Sequence, residues 1–338
     1  MIAVLCTHFC CVQCVAQTID VTPVASQKKV IVTFDGKPFT EFIYPDSLEK
    51  PVLYPIYAAD GEVITRGFPI APRKNEPADH PHHVGLWMNY ENVNGLDFWN
   101  NSSAIPADKK PNYGWIKTTA IYETKSGATG SLSYSANWQD IKKNILLQEK
   151  TTFQFTARHN IHIIDRITTL TAEQDVAMPD IKDGFFGLRV AHELELPSAE
   201  ERTFTDDKGN ITKVKGTDDR SVSGNYITSR GNKGDAAWGT RAEWCMLYGK
   251  RGNDSISIVI IDHPQNIGYP TYWHARGYGL FSANPLGQKI FSNGKEVLNF
   301  SLKKGSAVTF KYRVVISSGK QVLSEEMIKN LVKEFAEQ

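Results

Sequence analysis

The stretch DHPHHVGLWMNYENVNGLDFW, residues 79–99, concentrates side chains that can bind metals or transfer protons. It contains His80, His82 and His83 next to an aspartate. Pro81 favours extended backbone at the residue before it, and in extended chain His80 and His82 point to one side while His83 points to the other. Imidazole is suited both to metal ligation and to proton transfer near neutral pH. We therefore predict that His80 and His82 are catalytic, and they are also the candidate ligands of a divalent metal.

The same stretch supplies groups that can hold a substrate. We predict that His83, Trp87, Asp97 and Trp99 bind it, the tryptophans by ring stacking and the aspartate by hydrogen bonds. The alternative is structural: one histidine caps a turn and another packs against Trp87. That alternative explains any single histidine more easily than all three, because the whole chain has only nine.

A second segment, DHPQNIGYPTYWHARGYGLFSANPLG at residues 262–287, repeats the DHP sequence. Its glycines and prolines indicate a loop-rich sheet edge, where catalytic groups are commonly held. Aromatic rings there can stack on a sugar while carboxylates and arginines bind its hydroxyls; the alternative is an aromatic loop packed over the core. The predicted catalytic residues are Asp262, His263, His274 and Arg276, and the predicted substrate-binding residues are Tyr272 and Trp273.

A third segment, DGFFGLRVAHELEL at residues 183–196, reads as a strand. Alternation places Arg189 and Glu193 on one face and His192 on the other. Arg189 and Glu193 are predicted to be catalytic if their face lines a cleft, and the alternative is a solvated face with weak salt bridges. We expect the two DHP segments to meet in one cleft, where an arginine would stabilise developing negative charge.

The elements that must position these residues read as β-strands. From residue 28 onward, alternating apolar runs such as SISIVIID and AVTFKYRVVIS are separated by Gly, Pro, Asn and Asp. Asp35 and Gly36 lie between two such runs and predict a tight hairpin. The run SEEMIKNLVKEFAEQ predicts a helix with Ser324 as its N-cap. The predicted fold is all-β: a large antiparallel β-sandwich of the supersandwich type with one C-terminal helix.

Residues 1–16 are apolar and fit the central region of a signal peptide better than the ~20 residues of a membrane span. Cleavage after Ala16 would leave residues 17–338 as a single β-sandwich domain in the periplasm or outside the cell. Four of the five cysteines lie in this predicted signal, so only Cys245 would remain. No later stretch is long and apolar enough to span a membrane.

The charge balance excludes some partners. The 338-residue chain has 38 basic and 37 acidic residues, a net charge of +1 with no basic cluster, which gives no electrostatic basis for binding nucleic acid. The expected partner is a small molecule or an oligosaccharide.

Several ordered motifs resemble those of the secreted bacterial proteins called PmoA-like, or methane oxygenase PmoA. They extend from about residue 60 to 316 and comprise RGFPIAP, DHPHHVGLW, NGLDFW, DGFFGLRVA, EWCMLYG and the 262–287 segment. The resemblance implies a secreted protein associated with sugar utilisation in polysaccharide-degrading bacteria. A looser likeness to aldose-epimerase supersandwiches implies an open cleft with two histidines and a carboxylate.

Three functions remain open from the sequence. The leading hypothesis is an exported sugar-directed enzyme, a hydrolase, lyase or epimerase that acts on a glycoside or modified monosaccharide through a His, Asp and Arg cleft. The second is a non-catalytic carbohydrate-binding protein whose aromatic rings stack on sugar. The third follows from the family name and is a metal-dependent oxygenase with its metal on His80 and His82.

Overall fold

The computed structural model describes residues 17–198, 201–205, 210–214 and 221–338, so the predicted signal peptide at 1–16 lies outside the described residues. The regular structure is nearly all β, which confirms the predicted fold class. In chain order the strands are β1 (Ile19–Val24), β2 (Lys29–Phe34), β3 (Lys37–Ile43), β4 (Val52–Ile56), β5 (Glu76–Pro77), β6 (Leu86–Tyr90), β7 (Trp115–Lys125), β8 (Gly130–Gln139), β9 (Ile145–Arg158), β10 (Ile161–Ala172), β11 (Val176–Met178), β12 (Gly184–Arg189), β13 (Arg202–Thr205), β14 (Ile211–Val214), β15 (Asn225–Thr228), β16 (Trp244–Arg251), β17 (Asp254–Asp262), β18 (Tyr272–Arg276), β19 (Leu280–Asn284), β20 (Phe300–Leu302) and β21 (Ala307–Gly319). The helices are α1 (Gln288–Phe291) and α2 (Glu325–Ala336), with 3-10 turns at Ala25–Gln27, Lys110–Asn112, His192–Leu194 and Gly234–Ala237.

Two eight-stranded antiparallel sheets form the sandwich. The first sheet has the strand order β1-β2-β3-β4-β6-β12-β19-β18, and the second has the order β15-β16-β17-β21-β10-β9-β8-β7. Small sheets of β11-β20 and β14-β13-β5 are added to them. In the last of these, β13 pairs with β5 just before residue 79, which fixes the start of the histidine segment.

Successive side chains of each strand point alternately to the core and to the outer face of the sheet. On β6, Leu86 and Met88 point into the core between the sheets, whereas Trp87 belongs to a separate apolar cluster on the outer face of the first sheet. Across the core, Phe186 of the first sheet stacks on Tyr312 of the second, with ring centroids 4.8 Å apart. The outer face of the first sheet is therefore a surface distinct from the core, and it carries the site described below.

The outer face of the second sheet is covered by α2. Ser324 accepts a hydrogen bond from the Met327 backbone N–H, which confirms the predicted N-cap. Ile328, Leu331 and Phe335 are the buried residues of this helix, and they pack against the sheet. The predicted hairpin at Asp35 and Gly36 is confirmed as well, since it joins β2 to β3 with both residues at positive φ. No helix among the described residues is long and apolar enough to cross a membrane.

A buried ion pair fastens α2 to the second sheet. Arg313 of β21 donates to both carboxylate oxygens of Asp165 on β10, at 2.7 and 2.8 Å, and also to the Leu331 carbonyl of α2 at 3.2 Å. Both side chains are almost fully buried. Removal of one partner from a buried pair leaves an uncompensated charge.

We expect Arg313→Met to lower the free energy of unfolding by about 3–5 kcal/mol, because Asp165 would be left buried and unpaired. Lys329→Met is the matched control, since Lys329 makes only an exposed pair with Glu325 on α2; it should leave stability essentially unchanged. Urea unfolding of both variants at neutral pH measures the difference. Equal stabilities for the two variants would contradict the anchoring role of the buried pair.

Candidate active site

Residues 80–83 form a tight turn rather than extended chain. The His83 backbone N–H donates to the His80 carbonyl at 3.0 Å, and Pro81 takes the second position of the turn, where its fixed φ is favourable. His80 adopts a left-handed backbone with φ of 43°. The expectation that His80 and His82 share one side and His83 the other is therefore wrong. The turn gathers all three rings, and the His80 and His83 rings lie parallel with centroids 4.9 Å apart.

Asp79, just before this turn, is held by two buried arginines. Arg66 and Arg189 donate to the same carboxylate oxygen of Asp79, at 2.6 and 2.7 Å. The backbone segments that carry the two arginines are adjacent, because the Arg66 backbone N–H donates to the Arg189 carbonyl at 3.1 Å. Arg66 also donates to the carbonyls of Asp79, His80 and His83, at 2.7, 2.9 and 3.1 Å. One guanidinium thus fixes both the carboxylate and the backbone of the turn.

The arginines keep Asp79 ionised. Burial alone would raise the pKa of Asp79, but Arg189, the hydrogen bond from His80 and Arg66 together hold it well below its usual range. Burial, with the neighbouring charge of Arg189, lowers the pKa of Arg66 to about 9. Glu195 adds a second carboxylate to the group, 3.5 Å from Arg189 and 3.0 Å from His192. Two buried cations are therefore matched by two carboxylates.

His80 and Asp79 form a histidine–aspartate dyad. His80 Nδ1 lies 2.7 Å from the second oxygen of Asp79. Because an ionised carboxylate only accepts hydrogen bonds, Nδ1 is the donor. This bond fixes the ring and leaves Nε2, on the opposite edge, free to exchange a proton with a ligand. The ring also stacks on Tyr278 with centroids 4.8 Å apart and planes 4° apart, so its orientation is fixed on two sides.

A cavity of about 520 Å³ opens beside this dyad. Its volume lies within the ordinary range for small-molecule sites. Arg276 lies over the rings of both Trp238 and Tyr278, at 5.7 and 5.8 Å. The Trp238 indole N–H has no acceptor within the described part of the chain. The cavity is lined by Pro77, Asp79, His80, Leu196, Pro197, Ser198, Glu201, Thr203, Asp235, Trp238, Ala275, Arg276, Gly277 and Tyr278.

His82 and His83 lie behind the dyad and stay neutral. His83 accepts from Arg189 at 3.3 Å and stacks on Trp87. Burial is the main cause that lowers the pKa of His83 well below its usual value. His82 lines a separate small space of about 40 Å³, and burial with the nearby Lys50 lowers the pKa of His82 to about 2. Of the three histidines, only His80 borders the cavity beside the dyad.

These histidines do not fit a metal site. His80 Nδ1 is engaged by Asp79, and His82 lines the other space. Among the residues the structure describes, no three His, Cys, Asp or Glu side chains are placed to hold one ion. The metal-ligand role of His80 and His82 stays a prediction that the geometry does not support.

The predicted aromatic platforms are buried instead. Trp87 and Trp99 pack on one another behind His83, and neither ring has more than 1% of its surface exposed. Trp273 points into the core between the sheets. Tyr272 is enclosed by Arg241 and Phe291. The rings available to a ligand are Tyr278 and Trp238, which were not predicted as binding residues.

The two DHP segments meet at the cavity only through the later part of the second, since residues 275–278 line it together with Asp79 and His80, whereas Asp262 and His263 lie elsewhere. Asp262 ends β17 of the second sheet, where it accepts hydrogen bonds from the Asn266 side chain at 2.7 Å and the Thr271 backbone at 2.8 Å. Burial raises the pKa of Asp262 to about 7. His263 packs edge-on against Phe335 of α2, on the opposite side of the sandwich from His80. Only the later part of the segment, which forms β18 and β19, returns to the first sheet.

Two further predictions are corrected by local structure. Strand β12 ends at Arg189, and the 3-10 turn His192–Leu194 breaks the alternation that would have put Glu193 beside it. Glu193 pairs instead with Arg251 of β16. Asp97 caps the turn that carries Trp99, since it accepts from the backbone and side chain of Asn100 at 2.8 and 2.9 Å.

Several site residues, Asp79 and Trp238 among them, are absent from the predicted set. Arg66 lies in RGFPIAP, Glu195 in the HELEL run, and Tyr278 in the second aromatic segment. The sequence offered little signal for Arg66, because its partners are mainly backbone carbonyls more than ten residues away. His274 and Arg276, by contrast, lie on the same outer face as His80, as their place on β18 requires.

Fold and site together define a β-sandwich protein with an arginine-fixed histidine–aspartate dyad beside an outward-facing cavity. The chain belongs to a family of unknown function, DUF6807, whose sequence profile matches residues 29–333. No curated protein sequence matches the chain.

Among solved structures, the chain is similar to two kinds of protein, at low sequence identity. The GH36 alpha-galactosidase AgaB from Geobacillus stearothermophilus is 12% identical over 89% of this chain, with a TM-score of 0.39, and the chain spans 41% of its length. A galactose mutarotase-like protein from Clostridium acetobutylicum is 10% identical over 89% of this chain and 98% of its own, with a TM-score of 0.41.

We expect Asp79→Asn to lower the free energy of unfolding by about 3–5 kcal/mol at pH 7, because Arg66 and Arg189 would lose their shared countercharge while buried. Asp46→Asn is the control, since Asp46 pairs with Lys28 at the exposed surface. The pKa of Asp79 is lowered on folding, so its contribution is present above the unfolded-state pKa and is lost as the pH falls. The difference between wild type and Asp79→Asn should thus persist down to about pH 4 and shrink only in stronger acid.

Urea unfolding at several pH values measures this difference. A loss at pH 7 no larger than that of Asp46→Asn would contradict the central role of the two arginines.

Proposed function

We propose that this protein is an exported sugar-directed enzyme in which the His80–Asp79 dyad transfers a proton to or from a sugar bound in the cavity. The observation that carries the proposal is the 2.7 Å contact between His80 Nδ1 and an aspartate that is itself fixed by two arginines. Such a contact sets the tautomer and the direction of the imidazole, as proton transfer requires. We also propose that the protein is located outside the cytoplasm, on the basis of the apolar N-terminal sequence. The proposed relationship to PmoA-like proteins rests on the ordered sequence motifs.

The cavity walls favour a sugar as the ligand. Tyr278 and Trp238 offer aromatic rings, while Arg276, Asp235 and Glu201 offer charged hydrogen-bonding groups. Convergent polar groups on an otherwise aromatic and apolar lining are typical of sites that orient a small polar ligand. A pyranose presents the matching combination of apolar C–H faces and hydroxyls.

The dyad favours proton transfer of the lyase or epimerase type over two-carboxylate hydrolysis. Glycoside hydrolysis ordinarily uses two carboxyl groups that flank the bond. Here the group that is best oriented at the cavity is an imidazole, and its aspartate partner is engaged by the two arginines through one oxygen and by His80 through the other. His80 is therefore the residue assigned to remove or return the proton.

A binding protein without catalysis is the alternative that the same cavity supports, since Tyr278 and Trp238 would serve either function. The two differ in what His80 does. A binding protein would tolerate loss of Nε2, whereas an enzyme would not.

We expect His80→Asn to lower kcat by about 10²–10⁴-fold with little change in KM. The asparagine amide keeps a donor toward Asp79 and tolerates positive φ, but it removes Nε2. Turnover is followed by ¹H NMR of D-galactose, D-glucose and D-galacturonate in D₂O, where C–H exchange, epimers and elimination products give separate signals. Retention of full turnover by His80→Asn would contradict the assigned role of His80.

Trp238→Ala should weaken binding of the same sugars, measured by calorimetry, because it removes an aromatic ring that lines the cavity. Tyr122→Ala is the control, since Tyr122 is an exposed aromatic residue on β7, which lies in the other sheet. Sugar binding by wild type without any turnover, unaffected by His80→Asn, would favour the binding protein.

A further inference from the structure

Arg276 is a cation in the wall of the cavity that has no anionic partner. It lines the cavity together with His80, and it is exposed there. Within the described part of the chain its guanidinium neither donates a hydrogen bond nor pairs with a carboxylate. Arg66 and Arg189 of the same site, by contrast, each pair with a carboxylate. An arginine with unused N–H donors at the edge of a cavity is available to a ligand.

The turn between β18 and β19 fixes the backbone of Arg276. This residue ends β18, and its carbonyl accepts a hydrogen bond from the Gly279 backbone N–H at 2.9 Å. The Tyr226 hydroxyl donates to the same carbonyl at 3.2 Å. The next carbonyl, that of Gly277, accepts from the Leu196 backbone N–H at 2.9 Å. Because three separate segments hold the turn, the place of the guanidinium depends only on the conformation of its own side chain.

Two aromatic rings hold that side chain. The guanidinium carbon Cζ of Arg276 lies 5.7 Å from the ring centroid of Trp238 and 5.8 Å from that of Tyr278. Both distances are within the range of a cation–π interaction. Contact with an aromatic ring uses the face of the guanidinium and leaves the N–H groups at its edge free to donate. The side chain is therefore oriented before a ligand binds, which lowers the entropic cost of binding.

Arg276 and His80 are close enough to contact one small ligand. Tyr278 lies next to both, because its ring centroid is 4.8 Å from that of His80 and 5.8 Å from Arg276 Cζ. The two distances together are the largest separation that the His80 ring and the guanidinium carbon can have. One monosaccharide with a hydrogen bond at each end can bridge such a separation. A sugar within reach of His80 can therefore place one of its substituents at Arg276.

The acidic groups of the cavity wall do not neutralise Arg276. Asp79 is already paired with two other arginines. Glu201 lies 3.8 Å from Lys213, at the exposed surface. Asp235 is exposed and forms no ion pair with Arg276 in the described structure. The positive charge of Arg276 thus remains available to an anionic group of the ligand.

We propose that Arg276 determines the specificity of the cavity and that the sugar it selects carries a carboxylate, as a uronic acid does. This inference rests on the proposed function, whose substrate class it narrows. A planar carboxylate accepts two parallel N–H bonds from one guanidinium and matches its charge. The CH₂OH group of a neutral hexose offers a single uncharged oxygen at the same position. The two kinds of sugar therefore differ in affinity through Arg276.

A carboxylate at Arg276 also defines the bond on which His80 acts. The C–H bond next to the carboxylate breaks, its proton goes to His80 Nε2, and its electron pair moves into the carboxylate group to form an enediolate. Arg276 stabilises the negative charge that accumulates there. The imidazolium then returns a proton to the same carbon. In D₂O that proton has exchanged with solvent, so the sugar gains one deuterium for the hydrogen it loses.

The test compares sugars that differ only at C6: D-galacturonate with D-galactose, and D-glucuronate with D-glucose. Calorimetry at constant ionic strength should give at least one uronate a Kd about 10-fold or more below that of its hexose, because hydrogen bonds to charged groups are the stronger ones. Arg276→Gln removes the charge and should abolish this preference while leaving the hexose Kd essentially unchanged. Arg230→Gln is the matched control, since Arg230 is exposed just after β15 of the other sheet, and it should keep the preference.

A second measurement follows the C5–H signal of the preferred uronate by ¹H NMR in D₂O. Wild type should exchange this hydrogen for deuterium, and Arg276→Gln should slow the exchange by about 10²-fold or more at saturating sugar. Urea unfolding verifies that each variant is folded. If Arg276→Gln does not fold, Asp235→Asn decides the matter, because loss of this negative charge in the cavity wall should raise the uronate preference further.

Equal affinity of wild type for the uronates and the hexoses, or an undiminished preference in Arg276→Gln, would overturn this inference. If His80→Asn is inactive in that case, the proposed function stands. Tighter binding of D-galactose 6-sulfate than of D-galacturonate would replace the carboxylate by a sulfate and would also overturn it. Absence of sugar binding and turnover in wild type would overturn the proposed function and this inference with it.

Discussion

The site depends on one carboxylate shared by two buried arginines. Arg66 and Arg189 would each be costly to bury alone, and Asp79 makes their burial acceptable by standing 2.6 and 2.7 Å from them. The same contact decides where the chain turns, because Arg66 also binds the carbonyls of the turn that carries His80. The position, the tautomer and the backbone conformation of His80 are therefore determined by the group of Asp79 and its two arginines.

That arrangement also separates the roles of three adjacent histidines. His80 projects toward the cavity with its Nδ1 used and its Nε2 available, whereas His82 and His83 are buried and neutral behind it. Burial near two arginines and a lysine makes a further positive charge on His82 or His83 unfavourable. The aromatic layer of Trp87 and Trp99 supports the group from beneath and completes a rigid base for the dyad.

Local sequence signals predicted the fold well, because each depends on neighbouring residues alone. The alternation of apolar residues along strands, the Asp35–Gly36 hairpin and the Ser324 cap all follow from conformational preferences of neighbouring residues. The sequence also singled out the 79–99 stretch and the region around His274 and Arg276. Both regions stand out because histidine is scarce in the chain and several of its histidines are grouped there.

The rest depended on long-range contacts that no local pattern encodes. Pro81 predicts extended chain at the residue before it, but a β-turn also suits proline, and the Arg66 contacts select the turn. Asp262 and His263 share the DHP letters with the first segment, yet the chain crosses between sheets after them, so they belong to the opposite side. Tryptophan content suggested stacking platforms, but large rings also fill the space behind a site, as Trp87 and Trp99 do.

The most direct test of the proposed site is a crystal structure of the protein soaked with the sugar that binds best. We predict the sugar in the cavity, packed against Tyr278 or Trp238, with one of its atoms within about 3 Å of His80 Nε2. A sugar bound away from the cavity, or one whose atoms all lie beyond hydrogen-bond reach of His80, would contradict the role assigned to the histidine–aspartate dyad.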